Sequence, residues 1–574
     1  MKYLKIFLKE RKLKNFLNVI FILGQSVGTL LIPFLIAKII DEGILTRNID
    51  KIVSLGIQMV VVTLISTIVA VLGSYYSADL ASEFGFYIRD KILRKTQELS
   101  ISQFDNIGVS SMITRTTADI AFVQQTLGLI FQLVVPAFLI VGASIVMTIY
   151  SNVYLSLILV LNIIIFLIVS VFIFKRSTVI SKRLQRKLDR INQIVRESIT
   201  GIRVIRAFAN EKYEEKRADK AFADYADDVI KINKLFAILN PVVWFIVGIA
   251  MAVIIYLGSI LTLNQVIEVG QITAVSEYII ITMSYLITAT SIIVTFPKIK
   301  SCLDRMEEVL EINSDIIDEE NVIDEKEESK VLEFDKVNFF YKGAEEPVIK
   351  DLSFSCEAGE TIAIIGSTGS GKSTIANLIL RLHDIDSGSI RLEGRNIRSL
   401  SQEKLREEIA YVPQKAFLFS GTIKDNLRMG YREATEEEMY RALKISQAYE
   451  FVNGLPKKLD YEVSQGGSNF SGGQKQRLAI ARALIKKAKV YIFDDSFSAL
   501  DLKTDSLLRK AIKDSIQDSI KIIIAQRVST IIDADKILVL DEGKLVGIGK
   551  HKELIKNCQV YKSIASSQMK VKEA

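Results

Sequence analysis

The sequence predicts an α-helical membrane domain, with six transmembrane helices extended into the cytoplasm, fused to an α/β P-loop domain. Three observations carry that prediction. Six long apolar stretches fill the first 300 residues. The string GSTGSGKS at 366–373 follows a short β-branched run. A second apolar run, VYIFD, ends on Asp494. Composition agrees: of 574 residues, 49% are hydrophobic and 24% charged, and mean hydropathy is +0.28. That is too apolar for a soluble chain and too charged for one lying wholly in a membrane. The length also exceeds what one core organises.

The apolar stretches lie near 16–40, 52–76, 127–150, 153–174, 235–261 and 272–296. Each has about 20 residues or more, enough to cross a hydrocarbon core of about 30 Å. The loops after the second and fourth are long, and the latter carries Lys175, Arg176, Lys182, Arg183, Arg186, Lys187 and Arg190. The segment 262–271 has no Lys or Arg. The positive-inside rule therefore places both termini and both long loops in the cytoplasm. Helical periodicity continues through Ile88–Leu99 and Leu188–Phe208, so the spans are expected to run on beyond the bilayer and turn at Ile107–Thr117 and Thr200–Phe208. The N-terminal KYLKIFLKERKLKNF reads as an amphipathic helix on the inner membrane face. No cleavable signal is expected there, since the first apolar run is too long and lacks a small-residue cleavage site. These features divide the chain into a membrane domain at 1–310, an acidic linker at 311–330 and a nucleotide domain at 331–574.

In the third region, strand Thr361–Ile365, the glycine loop and the helix IANLILRL form the strand–loop–helix context of a phosphate-binding loop. Gly366, Ser367, Thr368, Gly369, Ser370, Gly371, Lys372, Ser373 and Thr374 are its candidate nucleotide residues. Backbone N–H groups and a helix N-terminus can hold phosphate there. Lys372 is expected at the β- and γ-phosphates, and Ser373, Gln414 and Asp494 at Mg²⁺. Tyr341, 25 residues before Gly366, can stack on adenine or sit in the core as a strand aromatic. Ser471, Gly472, Gly473 and Gln474 open a helix and offer a second phosphate surface. Because one loop already serves one triphosphate, that surface suits an ATP held by a second chain.

With these motifs the chain resembles ABC transporters of the exporter type over essentially its whole length. Within that resemblance Gln414 matches the Q-loop, NFSGGQ the signature (with Phe470 for the usual leucine), Ser498-Ala499-Leu500-Asp501 the D-loop and Tyr341 the A-loop aromatic. Asp501, with Ser471–Gln474, would face the partner's ATP. TGIRVIRAF resembles the second coupling segment, which in this family reaches the partner's engine. Two positions depart. Asp495 stands where the family carries a catalytic glutamate, one methylene longer, and a shift of about 1 Å can cost on the order of 100-fold. Gln526 stands in the switch histidine position and carries neither proton nor positive charge. The two histidines, His383 and His551, lie elsewhere. The pattern resembles the degenerate-site subunit of heterodimeric bacterial multidrug exporters. It implies a partner half-transporter with intact glutamate and histidine, whose site this chain's signature completes.

The cargo is less legible. Glu277, Lys38 and Asp79 are charges in or near the spans that suit cargo contact or the membrane interface equally, and Trp244, Tyr278 and Tyr285 suit an apolar cavity wall or, more commonly for such aromatics, a lipid-facing position. The absence of a clear charged pocket favours hydrophobic or amphipathic compounds, with lipid or peptide export, or siderophore-type import, as alternatives. A net charge of +7 suits membrane lipid and no nucleic acid. Cys302, Cys356 and Cys558 show no metal or redox spacing. Abundant Lys and Ile with one Trp suggest a bacterial source, hence a bacterial cell membrane.

Overall fold

A computed structural model describes residues 1–293, 295–318 and 331–569. Most of the acidic linker, 319–330, lies outside them. The chain forms two compact units. One comprises Met1–Gln97 with Gly108–Ile312, the other Glu98–Ile107 with the chain from Asn313 onward.

The first unit is all helix. Among the described residues, six helices are long and apolar enough to cross a membrane: Lys12–Ile44, Ile49–Glu98, Val109–Ser151, Val153–Thr200, Glu211–Leu263 and Val269–Ile292. The second, fourth and fifth have 50, 48 and 53 residues. At about 1.5 Å per residue each exceeds twice the thickness of a hydrocarbon core. These helices therefore do run on past their apolar stretches. Side chains of the fourth, fifth and sixth interlock through Leu155, Leu159, Phe166, Val243, Val247, Ile254, Val275 and Ile279. The apolar window of the sixth span is 44% buried within the chain, that of the second only 6%. The sixth is thus an interior helix of this unit, and the second presents its apolar face to lipid or another chain. Buried polar groups are paired across spans, as in Thr282 Oγ1 to Ser144 Oγ at 2.8 Å.

The N-terminal helix Lys2–Glu10 forms as expected, yet its apolar face meets protein. Phe7 is buried against Phe84 and Tyr87. Met1 and Lys2 pair with Glu307 and Glu311 on the helix Phe296–Glu311. Thr200–Phe208 turns as expected, with a short helix Ile202–Ala207 in which no residue is buried. Phe208 there is 76% exposed and Val204 60%. The first turn differs from expectation. The segment that joins the second unit is Glu98–Ile107, containing the helix Ile101–Ile107, ahead of the expected 107–117. Gln103 anchors it through Nε2 to the Asn313 carbonyl at 2.7 Å.

The second unit is built on two sheets. An antiparallel one is ordered β2-β1-β4-β5, with β1 Leu332–Phe339, β2 Ile349–Cys356, β4 Ser387–Leu392 and β5 Arg395–Asn396. The other is ordered β12-β11-β3-β10-β9-β6, with β3 Thr361–Gly366, β6 Ile409–Val412, β9 Val490–Asp494, β10 Ile520–Ile524, β11 Lys536–Asp541 and β12 Lys544–Gly549. A short pair, β7 Gly421–Thr422 and β8 Glu462–Val463, stands apart. In the six-stranded sheet only β12 is antiparallel. β3, β9 and β10 are buried on both faces, which is why they read as unbroken apolar runs. All three cysteines are free and buried.

Candidate functional site

Parallel register brings three strand ends together. Ile524 on β10 lies opposite Asp494 on β9, and Val412 on β6 opposite Phe493. Gln526, Asp495 and Gln414, each one or two residues past its strand, therefore converge at the carboxyl edge of the sheet, where open α/β folds place their ligands. β3, beside β10, delivers the glycine loop to the same edge.

The loop needs its glycines for space. A Cβ on Gly366 would collide with the Leu540 carbonyl oxygen. Gly371 has φ +93°, and a Cβ there would press on Ile349. Ser367, Thr368 and Gly369 form an exposed tip, while Ser370 is buried beneath it. Lys372 begins the helix Lys372–Ile379 and donates from Nζ to the carbonyls of Gly366 (3.0 Å) and Ser367 (2.6 Å). Burial lowers its pKa, and Asp495 and Asp494 partly offset that. Ser373 Oγ donates to Asp494 Oδ1 at 3.0 Å. Tyr411, a residue the motif reading left without a role, donates to Asp494 Oδ2 at 3.4 Å. Asp494 is buried, which raises its carboxyl pKa; the Ser373 hydrogen bond opposes the shift and the neighbouring Asp495 adds to it.

Asp495 has other surroundings. Its φ is +45°, a conformation aspartate tolerates better than most residues. Its Oδ2 accepts from Gln414 Nε2 at 3.2 Å and from Gln526 Nε2 at 3.1 Å. Both unusual positions and the Q-loop residue are thus joined on one oxygen. Gln526 is itself fixed from behind. Gln568, on the C-terminal helix Gln559–Met569, donates to the Gln526 carbonyl at 2.7 Å and accepts from the Val528 amide at 2.8 Å. No local motif marks Gln568; the contact spans 42 residues.

Tyr341 lies just past β1, edge-on to Phe339 and His383, with its hydroxyl 3.2 Å from Thr374 Oγ1. It touches the phosphate-loop helix and the strand core at once. Ser471 caps the helix Gly472–Ile485 in a capping box: its Oγ accepts from the Gln474 amide, and Gln474 Oε1 accepts from the Ser471 amide at 2.9 Å. The Phe470 departure is absorbed by edge contacts with Phe451 and Tyr461. Asp501 caps the helix Leu502–Ser515 through the Thr504 amide, which lowers its pKa.

Family comparison agrees with this geometry on both halves. The ABC transporter transmembrane region family matches residues 16–286, and the ABC transporter family matches 349–498. The ABC transporter ATP-binding protein YfiB of Bacillus subtilis (strain 168), described as uncharacterized, is 35% identical over 98% of this chain and 97% of its own length. The chain belongs to the ABC transporter family. The ATP-dependent lipid A-core flippase of Pasteurella multocida (strain Pm70) is 30% identical over 93% of this chain and 92% of its own. A solved bacterial Atm1-family ABC exporter with ATP bound matches with a TM-score of 0.80 and 25% identity over 98% of each chain. This transporter chain is therefore a multi-pass exporter half, with an ATP-binding ABC ATPase domain driving transport.

The cargo candidates fare unevenly. Asp79 pairs with Lys14 at 2.8 Å. Lys38 lies over the Phe34 ring and 4.0 Å from Glu42. Tyr278 is only 1% exposed, packed with Leu30, Ile140 and Ala274 and bonded to the Leu30 carbonyl, so it belongs to the interior of this unit. Glu277 and Tyr285 are half-buried, and Trp244 is exposed.

Proposed function

We propose that this chain is the degenerate-site half of a heterodimeric exporter in a bacterial plasma membrane, with both termini in the cytoplasm. It moves hydrophobic or amphipathic compounds outward. The observation that carries the reading is Asp495 Oδ2, which accepts from the amides of both Gln414 and Gln526. A general base must reach its water with a free lone pair. Two glutamine amides tether this carboxylate through Oδ2, its side chain is one methylene short of the reach, and neither glutamine can take up a proton. The site is equipped to hold ATP and poorly equipped to hydrolyse it.

Binding falls to the loop residues 366–374, with Lys372 exchanging its carbonyl partners for phosphate oxygens and Tyr341 at the adenine. Mg²⁺ suits Ser373, Asp494 and the Gln414 amide oxygen: all are hard oxygen donors, and the first two already lie 3.0 Å apart. The cation would screen phosphate charge. In this reading Ser471–Gln474 and Asp501 serve the partner's ATP. The exposed apolar turn Thr200–Phe208 supports a second chain, because Val204 and Phe208 have no cover within their own unit. The lipid A-core flippase likeness supports an amphipathic cargo and keeps lipid export as the second reading.

The test is ATP turnover of the purified chain alone and of a 1:1 complex with a half-transporter carrying the glutamate and histidine. The expected result is ATP binding without appreciable turnover alone, and turnover in the pair. Brisk hydrolysis by the lone chain as a homodimer would overturn the reading.

A further inference from the structure

A cavity of about 470 Å³ lies in the second unit, walled by the helix Leu502–Ser515, the starts of β3 and β10, and the segment 530–534. Its volume is that of a small-molecule pocket. The nucleotide-site residues described above do not line it. Four cations do: Arg509, Lys510, Lys513 and Lys521. Arg509 is balanced, making two bonds to Asp505 and lying 4.0 Å from Asp533. Lys510 and Lys513 are exposed and take part in no ion pair or hydrogen bond among the described residues. Spaced three apart on one helix face, they repel each other. Lys521 is 3% exposed, and its Nζ meets only carbonyl oxygens, those of Gly359 (2.8 Å), Ile516 (2.9 Å) and Ser519 (3.3 Å). Arg509 is thus matched by Asp505 and Asp533, and Lys521 lies in the field of Asp535 and Asp518; Lys510 and Lys513 are left without a partner among the described residues, beside the apolar surfaces of Phe497, Ile512 and Ile523.

We propose that this cavity binds a small phosphorylated molecule with an apolar or aromatic body. The two unpartnered ammonium groups of Lys510 and Lys513 match a phosphate monoester, which carries about −1.5 to −2 at neutral pH, better than a single carboxylate. Lys510 and Lys513 at the mouth take the phosphate, and Lys521 beneath them lends its field from a poorly solvated position. The apolar wall takes the body. An occupant also touches the two chain segments leading from the nucleotide site: Phe497 lies two residues after Asp495, and Thr530 four after Gln526.

Pyridoxal 5′-phosphate is a direct probe, because its aldehyde condenses with a lysine amine, losing water, and borohydride reduces the imine to a stable secondary amine. The full-length protein is labelled in nanodiscs with this reagent or with pyridoxal, which lacks the phosphate, and the modified lysines are mapped by mass spectrometry. Lys457 and Lys487, both highly exposed, serve as references. The expected result is that Lys510 or Lys513 prefers the phosphorylated reagent by about tenfold or more over the references. Ser506→Trp fills the mouth from an exposed lining position while keeping every lysine. It should abolish the preference and leave labelling at Lys457 and Lys487 unchanged, with an unaltered thermal midpoint showing that the fold is intact. A preference no greater than that of the references, or one that survives Ser506→Trp with the references unchanged, overturns the proposal.

Discussion

Adjacent aspartates at the end of β9 differ because their oxygens meet different donors. Asp494 points into the sheet edge toward Ser373 and Tyr411, and burial raises its pKa. The sign of the consequence is definite. A raised folded-state pKa favours folding below the unfolded value of about 4 and loses that advantage as pH rises through the folded value. At pH 8 the ionised, desolvated Asp494 therefore costs the nucleotide-free domain stability. Asp494→Asn should raise its thermal midpoint at pH 8 by roughly 2–4 °C for each kcal/mol recovered. The gain should shrink as pH falls toward about 4. The same variant should lose Mg²⁺-dependent tightening of ATP binding; a midpoint equally shifted at both pH values would count against burial as the cause. Asp495 poses the complementary question of whether its side chain or its neighbour limits turnover. The bridge through Gln414 and Gln526 says both do. Asp495→Glu alone should leave the lone chain's turnover within a few-fold of the parent. Asp495→Glu with Gln526→His should raise it on the order of 100-fold, since length and proton handling are then restored together. Steady-state phosphate release decides it, and full rescue by the single change would mean that Gln526 is an adequate switch.

Elements matter at the switch because no strand or helix of its own fixes Gln526. The C-terminal helix does so, through the two hydrogen bonds of Gln568 on either side of Arg527. Gln568→Leu keeps the side-chain size and removes both. The Val528 amide then loses its acceptor, and its hydrogen exchange should quicken by about tenfold, the equivalent of one net hydrogen bond. Exchange at β10 amides should stay as it was, and unchanged Val528 exchange would deny the clamp. Such contacts show which parts of the molecule were legible in sequence. The spans were, because runs of about 20 apolar residues have few other uses. Gly366–Ser373, Asp494, Gln414 and Gln526 were each named from motif and resemblance, while their meeting at one edge follows from the parallel register that the structure shows. Gln568 was not: its partners lie 40 and 42 residues away, and no periodicity signals an amide turned toward a backbone. The first turn was placed too late because amphipathic periodicity runs straight through the break at Glu98–Ile107. The chemistry of Tyr278 suited either a cavity wall or a lipid-facing position, and the structure packs it instead against Leu30 and Ile140. Tyr411, three residues before Gln414, had no role in the sequence reading because its hydroxyl's partner is known only from the β6–β9 register.

At the scale of the whole molecule the question is where the work of ATP is done. This chain carries a complete phosphate loop and a complete signature, and they serve different nucleotides in the heterodimer reading. The signature is structurally sound by itself: Ser471 and Gln474 close the capping box, so the amides of Gly472 and Gly473 sit at a well-formed helix start. Gly473 lies near the Ala499 carbonyl, and a Cβ there would meet it at 3.4 Å, which a modest adjustment accommodates. A Gly473→Asp change therefore places a negative charge where a partner's triphosphate would sit, with little disturbance to its own domain. Lys372→Ala removes the ammonium from this chain's loop instead. If the two halves were equivalent, both changes would cost the pair similar turnover. If this chain's own site mainly holds ATP, the costs separate. Gly473→Asp should lower turnover of the pair on the order of 100-fold, as expected for losing transition-state charge stabilisation. Lys372→Ala should lower it only a few-fold while weakening nucleotide binding at this chain, read by photo-crosslinking of labelled ATP to each subunit. Equal losses would mean that Asp495 and Gln526 support hydrolysis after all. A deeper loss from Lys372→Ala would reverse the assignment and make this chain's loop the working one.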